Sequence, residues 1–128
     1  MDPAARVPAP VVDPLTVGTA FVKQYYEIMY KRPEHLHRFY HEISKVGRVG
    51  EDGVMRDFST FQGIKKVLET LSYGDFKSAE ITSYDIQESL SGSFLLVVTG
   101  FFTLNEIHRR KFTQTFFLAP QENGYFVL

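Results

Sequence analysis

Cysteine and tryptophan are both missing from the 128 residues. Without cysteine there can be no disulfide framework, thiolate metal site or thiol nucleophile. Long apolar runs are missing too, so no stretch reads as a membrane-spanning helix. The N-terminus, with Asp2 and no continuous apolar segment, does not read as a secretory signal. Neither sign of charge dominates: 14 Lys and Arg stand against 15 Asp and Glu, for a net charge of −1. No global basic field therefore draws in nucleic acid or anionic lipid. A single cytoplasmic domain with a real core is the expectation.

What the chain has is rings. Twelve Phe and seven Tyr imply a core built largely from ring-on-ring packing. The residues are organised around positions 13–40, DPLTVGTAFVKQYYEIMYKRPEHLHRFY. Asp13 can cap a helix, and Pro14 suits its first turn, where a missing N–H costs nothing. Val17, Phe21, Tyr25 and Ile28 follow at helical spacing, and Val22 and Met29 widen the stripe. A helix from Pro14 to Lys31 is predicted, then a short one opened by Pro33, with Leu36, Phe39 and Tyr40 turned inward. Residues 1–12 are Pro- and Ala-rich without periodicity and read as a disordered leader.

Residues 44–60 read as a hairpin around a turn at Gly50–Gly53. Ile64, Val67, Leu68 and Leu71 give an amphipathic helix over 63–72. The rest reads as strand: 77–90, with its alternation slipping near Ser83, then 94–106, 109–119 and 125–128. The strand from Phe94 is apolar on both faces. Phe94, Leu96, Val98, Phe102 and Leu104 line one face, and Leu95, Val97 and Phe101 the other. Helices can cover only one face, so a second copy of the chain is expected on the other, with Phe94, Leu96, Val98, Phe102 and Leu104 assigned to the dimer interface. The fold class is α+β, a curved antiparallel sheet forming a cone packed on three helices. With so many rings, the cone is expected to be filled.

Candidate chemistry is sparse. His35 and His37 are two apart and point to different faces of a helix, while His41 and His108 lack ligand spacing, so neither metal nor cofactor is expected. Arg109, Arg110 and Lys111 read as a solvated strand end. Asp57, Asp85, Tyr25 and Tyr84 are the only candidates for acid–base chemistry, and no pair among them is convincing. No enzyme activity is expected.

Three runs, VGTAFVKQYYEIMYKRPEHLHRFY, FQGIKKVLETL and RRKFTQTFFLAP, resemble the nuclear transport factor 2-like domain. Within that superfamily they are most similar to the N-terminal domain of the Ras-GAP-binding stress-granule proteins. The resemblance covers residues 13–128. It implies a homodimer formed through the sheet and a protein-binding module that takes short Phe-containing peptides, of FG or FGDF type, beside the first helix. Carried over, the groove uses Val17, Phe21, Phe39 and Tyr125, with Gln24 and Arg38 at its edge. Thr16 and His35 stand where larger apolar side chains are expected, so the groove should be more polar. The resemblance also implies a longer protein, trimmed here within its last strand. RNA would be bound only by regions absent from this chain, with no membrane contact and with residence in the cytoplasm or in stress granules. Two alternatives follow from the same superfamily. One is a carrier of a small GTPase, for which Phe58–Gly63 (FSTFQG) matches in part. The other is an isomerase or dehydratase. Tyr73-Gly74-Asp75-Phe76 itself resembles an FGDF ligand, although a helix-ending glycine explains it equally.

Overall fold

The computed structural model describes residues 13–49, 52–71, 78–103, 109–122 and 124–128. The expected leader, residues 50 and 51 of the expected turn, the Tyr73–Phe76 run, Leu104 and His108 lie outside the described residues.

Helix α1 spans Pro14–Lys31. The Asp13 carboxylate accepts the Leu15 N–H at 3.2 Å, satisfying one of the orphan donors of the first turn. A 3-10 helix, Pro33–Phe39, follows the break at Arg32. Leu36 and Tyr40 are buried and Phe39 is half-buried. Strands β1 (Lys45–Val49) and β2 (Met55–Ser59) form an antiparallel hairpin of their own.

Helix α2 spans Phe61–Leu71 and starts two residues before the sequence pattern places it. The reason is capping from two sources. The Thr60 hydroxyl accepts the Gly63 N–H at 3.1 Å, and the Glu42 carboxylate accepts the Phe61 N–H at 3.0 Å from far along the chain.

The main sheet runs β3-β4-β5-β6, all antiparallel, from β3 (Ser78–Glu88), β4 (Phe94–Thr103), β5 (Arg109–Gln121) and β6 (Gly124–Val127). Register slips between Ile81 and Ser83, where the alternation of the sequence slips. Opposite Ile81 sits Gly100, where an added Cβ would fall 2.2 Å from the Glu80 carbonyl oxygen. The backbones approach there as only glycine permits, and a bulge of this kind bends a sheet. Helix α1 lies on the concave face. Gly18 lets it approach β3, where an added Cβ would meet the Ile86 side chain at 3.0 Å.

The core between helix and sheet is aromatic. The Phe21 ring stacks on Tyr25 at 5.2 Å and meets Phe116 edge-on at 4.9 Å, and Tyr25 meets Phe116 at 4.8 Å. Such pairs contribute about 0.5–1.5 kcal/mol each beyond area burial. On the sheet, Leu96 and Val98 are fully buried and Phe94 nearly so.

That burial corrects the assignment of strand faces. Phe94, Leu96 and Val98 belong to the core beneath the helices, and Phe102 packs against it. They were expected to meet a second copy, yet one chain already covers them. The face left to solvent is the opposite one, with Leu95 at 39% exposure and Val97 and Phe101 half-buried. Alternation showed two apolar faces but could not say which one α1 takes.

The C-terminal strand ties the two ends of the domain. Val127 bridges in parallel to Tyr40, its carbonyl accepts the buried Ser44 hydroxyl at 2.5 Å, and the Phe126 ring stacks flat on His41 at 3.8 Å. Strand β6 pairs with β5 only over Leu118–Gln121.

Candidate functional site

The residues assigned to the peptide groove come from three elements. Helix α1 carries Val17, Phe21 and Gln24 on successive turns, the 3-10 helix carries Arg38 and Phe39, and β6 carries Tyr125. Phe39 meets the Phe21 ring edge-on at 5.6 Å and the Tyr25 ring at 5.2 Å. Tyr125 rests against Phe94 at 5.3 Å. The six are not equivalent. Phe21 is only 7% exposed and serves as backing. Val17, Phe39 and Tyr125 are half-buried and present apolar surface, while Gln24 and Arg38 are exposed. Neither polar side chain makes a hydrogen bond or ion pair within the described residues. Thr16 is exposed and lies 3.3 Å from the Asp13 carboxylate. It belongs to the helix cap, and His35 is half-buried nearby in sequence to Phe39.

The cone is not filled. A cavity of about 670 Å³ lies between the β1–β2 hairpin and the sheet, lined among others by Tyr25, Tyr40, Lys45, Arg48 and Gln114. Most rings are used between α1 and the sheet, and Phe102 and Phe112 stack face to face at 4.0 Å beside the cavity instead of across it. The Tyr25 and Tyr40 hydroxyls lie 2.6 Å apart, and the Tyr26 hydroxyl donates to the Gln114 side-chain carbonyl. Burial pushes the Tyr25 phenol well above its ordinary value, with the neighbouring Tyr40 adding to it, and burial pushes Tyr40 up to about 12. Arg48 is half-buried, and burial lowers its pKa. No carboxylate of the described residues lines this cavity.

The candidates for acid–base chemistry do not converge. Asp57 and Asp85 are exposed, and Tyr84 sits on β3 with its hydroxyl 2.8 Å from Thr19. Only Tyr25 reaches the cavity. No group of three or more His, Cys, Asp or Glu suited to a metal ion occurs among the described residues. No helix among them is long and apolar enough to cross a membrane. The sequence reading passed over Tyr26, Arg48 and Gln114. Tyr26 stands on the same helix stripe as Val22 and Met29, and its burial could have been read from that spacing. Arg48 gave no signal, because its partner surface is a strand more than sixty residues away.

Comparison with known proteins bears on the family and the fold. The nuclear transport factor 2 (NTF2) domain model matches residues 17–128. A protein of Arabidopsis thaliana named nuclear transport factor 2 is 45% identical over 112 residues, which are 88% of this chain and 24% of that protein. A protein of Schizosaccharomyces pombe named as G3BP-like is 35% identical over 121 residues, 93% of this chain and 27% of that protein. The chain thus spans about a quarter of the length of these two curated relatives. Among solved structures, nuclear transport factor 2 from Cryptosporidium parvum superposes with a TM-score of 0.76 at 26% identity, covering 89% of this chain and 88% of that one. Bre5 in the yeast Ubp3–Bre5 cofactor complex superposes at 0.74 and 22% identity, covering 91% of this chain and 92% of that one, a likeness of fold. The chain belongs to the nuclear transport factor 2 domain family.

Proposed function

We propose that this domain is a dimeric protein-interaction module that binds short Phe-containing peptides, of FG or FGDF type, within a longer RNA-binding protein of cytoplasmic granules. One observation carries the reading. Half-buried Val17, Phe39 and Tyr125 pack on the core that holds the buried Phe21 ring, Phe39 directly against it, and the same elements carry two exposed polar side chains, Gln24 and Arg38, with no hydrogen bond or ion pair among the described residues. A Phe side chain entering such a slot gains roughly 1.5–3 kcal/mol from burial. Gln24 can hold the peptide backbone, and Arg38 offers a counter-charge to the aspartate of an FGDF-type peptide. The relative named as G3BP-like, matched over 93% of this chain, supports the same assignment.

The dimer reading rests on the outer face of the sheet, where Leu95, Val97 and Phe101 remain partly exposed in a single chain. Two copies give two grooves, and paired binding raises avidity without any new contact.

A carrier of a small GTPase is the second reading, favoured by the Arabidopsis relative's name. An acidic cavity with a nearby tryptophan would suit that role. Here the cavity is lined by Arg48 and Lys45, with no carboxylate among the described residues, and the chain has no Trp.

Calorimetry with an FGDF-type peptide tests the groove. Wild type should bind with micromolar affinity, about −8 kcal/mol at 1 μM. Val17→Glu should abolish binding while leaving the thermal midpoint within a few degrees. Equal affinity for both proteins would remove the groove assignment and leave the family intact.

A further inference from the structure

The cavity between the β1–β2 hairpin and the main sheet holds a charge that the chain leaves unanswered. Arg48 lines it from β1 and is the one arginine of the described residues that is not exposed. The ion pairs among the described residues all use exposed cations: Lys31 with Glu27, Arg56 with Asp52, and Arg109 with Glu80. Arg48 stands directly opposite Arg56 across the hairpin. Like charges so placed repel, and Asp52 relieves only one of them, accepting from Arg56 at 2.6 and 3.0 Å. Arg48 itself makes no hydrogen bond or ion pair among the described residues. A guanidinium stays charged at neutral pH, and keeping one half-buried without a partner is costly.

Other polar groups that line the cavity can donate. Gln114 gives its side-chain carbonyl to Tyr26, which leaves its amide N–H groups as donors. The Tyr25 and Tyr40 hydroxyls share one hydrogen bond, which uses one of their two protons. Both phenols stay neutral at physiological pH, so the pair keeps a proton to offer. Exposed Lys45 and Met55 also line the cavity, which therefore reaches solvent on the hairpin side. Apolar wall comes from Met29, Leu68, Phe102, Phe112 and Phe116. At about 670 Å³, the cavity falls within the size range of small-molecule sites, roughly 300–1,000 Å³.

We infer that this cavity binds a small organic monocarboxylate with an apolar body, aromatic or alkyl. Arg48 supplies the charge and a forked donor that suits a carboxylate. Gln114 and the Tyr25–Tyr40 pair supply neutral donors, and the stacked Phe102 and Phe112 rings give the body an apolar wall. One unpaired guanidinium matches a single negative charge. A neutral ligand of the same shape leaves that charge unanswered, and a cation is repelled. The site is separate from the proposed peptide groove, since none of Val17, Phe21, Gln24, Arg38, Phe39 and Tyr125 lines the cavity. The inference therefore does not depend on the peptide reading.

Calorimetry on the whole chain at neutral pH tests it with naphthoate and decanoate, each beside its own neutral amide. At least one acid should bind, and about tenfold or more tightly than its amide. Binding of naphthoate assigns an aromatic body and binding of decanoate an alkyl one; either result supports the inference. Arg48→Gln should lose the preference for acid while binding the amide as before, and Arg48→Lys should keep part of it. The thermal midpoint of Arg48→Gln should not fall, because an unpaired charge leaves the hairpin. In nuclear magnetic resonance spectra, the acid should shift the Gln114 side-chain amide and the Tyr40 ring. Val17→Glu should bind the acid as wild type does. Failure of both acids to bind at about 1 mM overturns the inference and leaves the peptide reading standing. So does equal binding of acid and amide by wild type, a comparison that needs no variant to fold. A preference that survives Arg48→Gln, or acid-induced shifts confined to Val17 and Phe39, also overturns it.

Discussion

The hydroxyls of Tyr25 and Tyr40 lie 2.6 Å apart with both rings buried, one from the middle of α1 and one from just beyond the 3-10 helix. Each phenol is held neutral by burial, and ionising either would place an oxyanion beside the other.

Alkaline stability follows from this pair. Tyr40 titrates near 10 when unfolded and is pushed up to about 12 when folded. A raised folded pKa gives stability that is intact below pH 10 and falls as pH rises from there through 12. At pH 11, Tyr40 alone should remove about 1.4 kcal/mol relative to pH 8. Tyr25 and Tyr26 are shifted in the same direction and should steepen the loss. Urea midpoints measured from pH 8 to 11.5 check it, and Tyr40→Phe should flatten the curve.

The groove wall can be separated from the core at Phe39. Phe39→Ala should weaken peptide binding by roughly 2 kcal/mol. It should also cost stability, since the ring touches both Phe21 and Tyr25. The loss should be about 2–3 kcal/mol, below that of a fully buried Phe. Phe39→Leu should recover most of the stability and less of the affinity. Calorimetry paired with thermal melts on both variants separates the two effects.

Two glycines should respond differently to alanine. Gly100→Ala drives a Cβ into the Glu80 carbonyl and within 3.0 Å of the Phe112 ring, with backbone on one side. It should cost about 1–3 kcal/mol or more. Gly18→Ala meets only the Ile86 side chain, at 3.0–3.3 Å, and gains helix propensity of roughly 1 kcal/mol. Its net effect should be within about 1 kcal/mol of zero. Denaturant midpoints for the two variants give the comparison.

Leu95→Glu tests the dimer reading of the outer face. Leu95 is 39% exposed in one chain, so the monomer should tolerate the change. Dimerisation should weaken tenfold or more, because two carboxylates would be brought into one apolar contact. Sedimentation across a concentration series reads the shift.

The elements were legible where local periodicity and capping decide them. Asp13, Pro14 and the Val17–Phe21–Tyr25 spacing placed α1 to the residue, and the slip at Ser83 marked the register shift of β3. What was not legible depends on contacts distant in sequence. The start of α2 depends on Glu42, and the face that β4 gives to the core depends on where α1 lands. The candidate groove residues were named from resemblance, but the division between the buried Phe21 and the half-buried Phe39 and Tyr125 needed the packing. The cavity escaped notice because counting rings says nothing of where they stack. Phe102 and Phe112 lie against each other instead of spanning the gap.

The bridge from Tyr40 to Val127, with the Ser44 hydroxyl bonded to the Val127 carbonyl, sets an order of events in time. Helix α1 and the 3-10 helix are near neighbours in sequence and can associate early, whereas Tyr125 reaches them only after β6 has found β5. Contacts of such wide sequence separation form slowly. During synthesis the first forty residues emerge long before their closing strand. In that interval the Val17, Phe21 and Phe39 side chains are exposed but do not yet form a slot. On the proposed reading, peptide capture marks a finished domain, and unfinished chains do not compete for the same ligands.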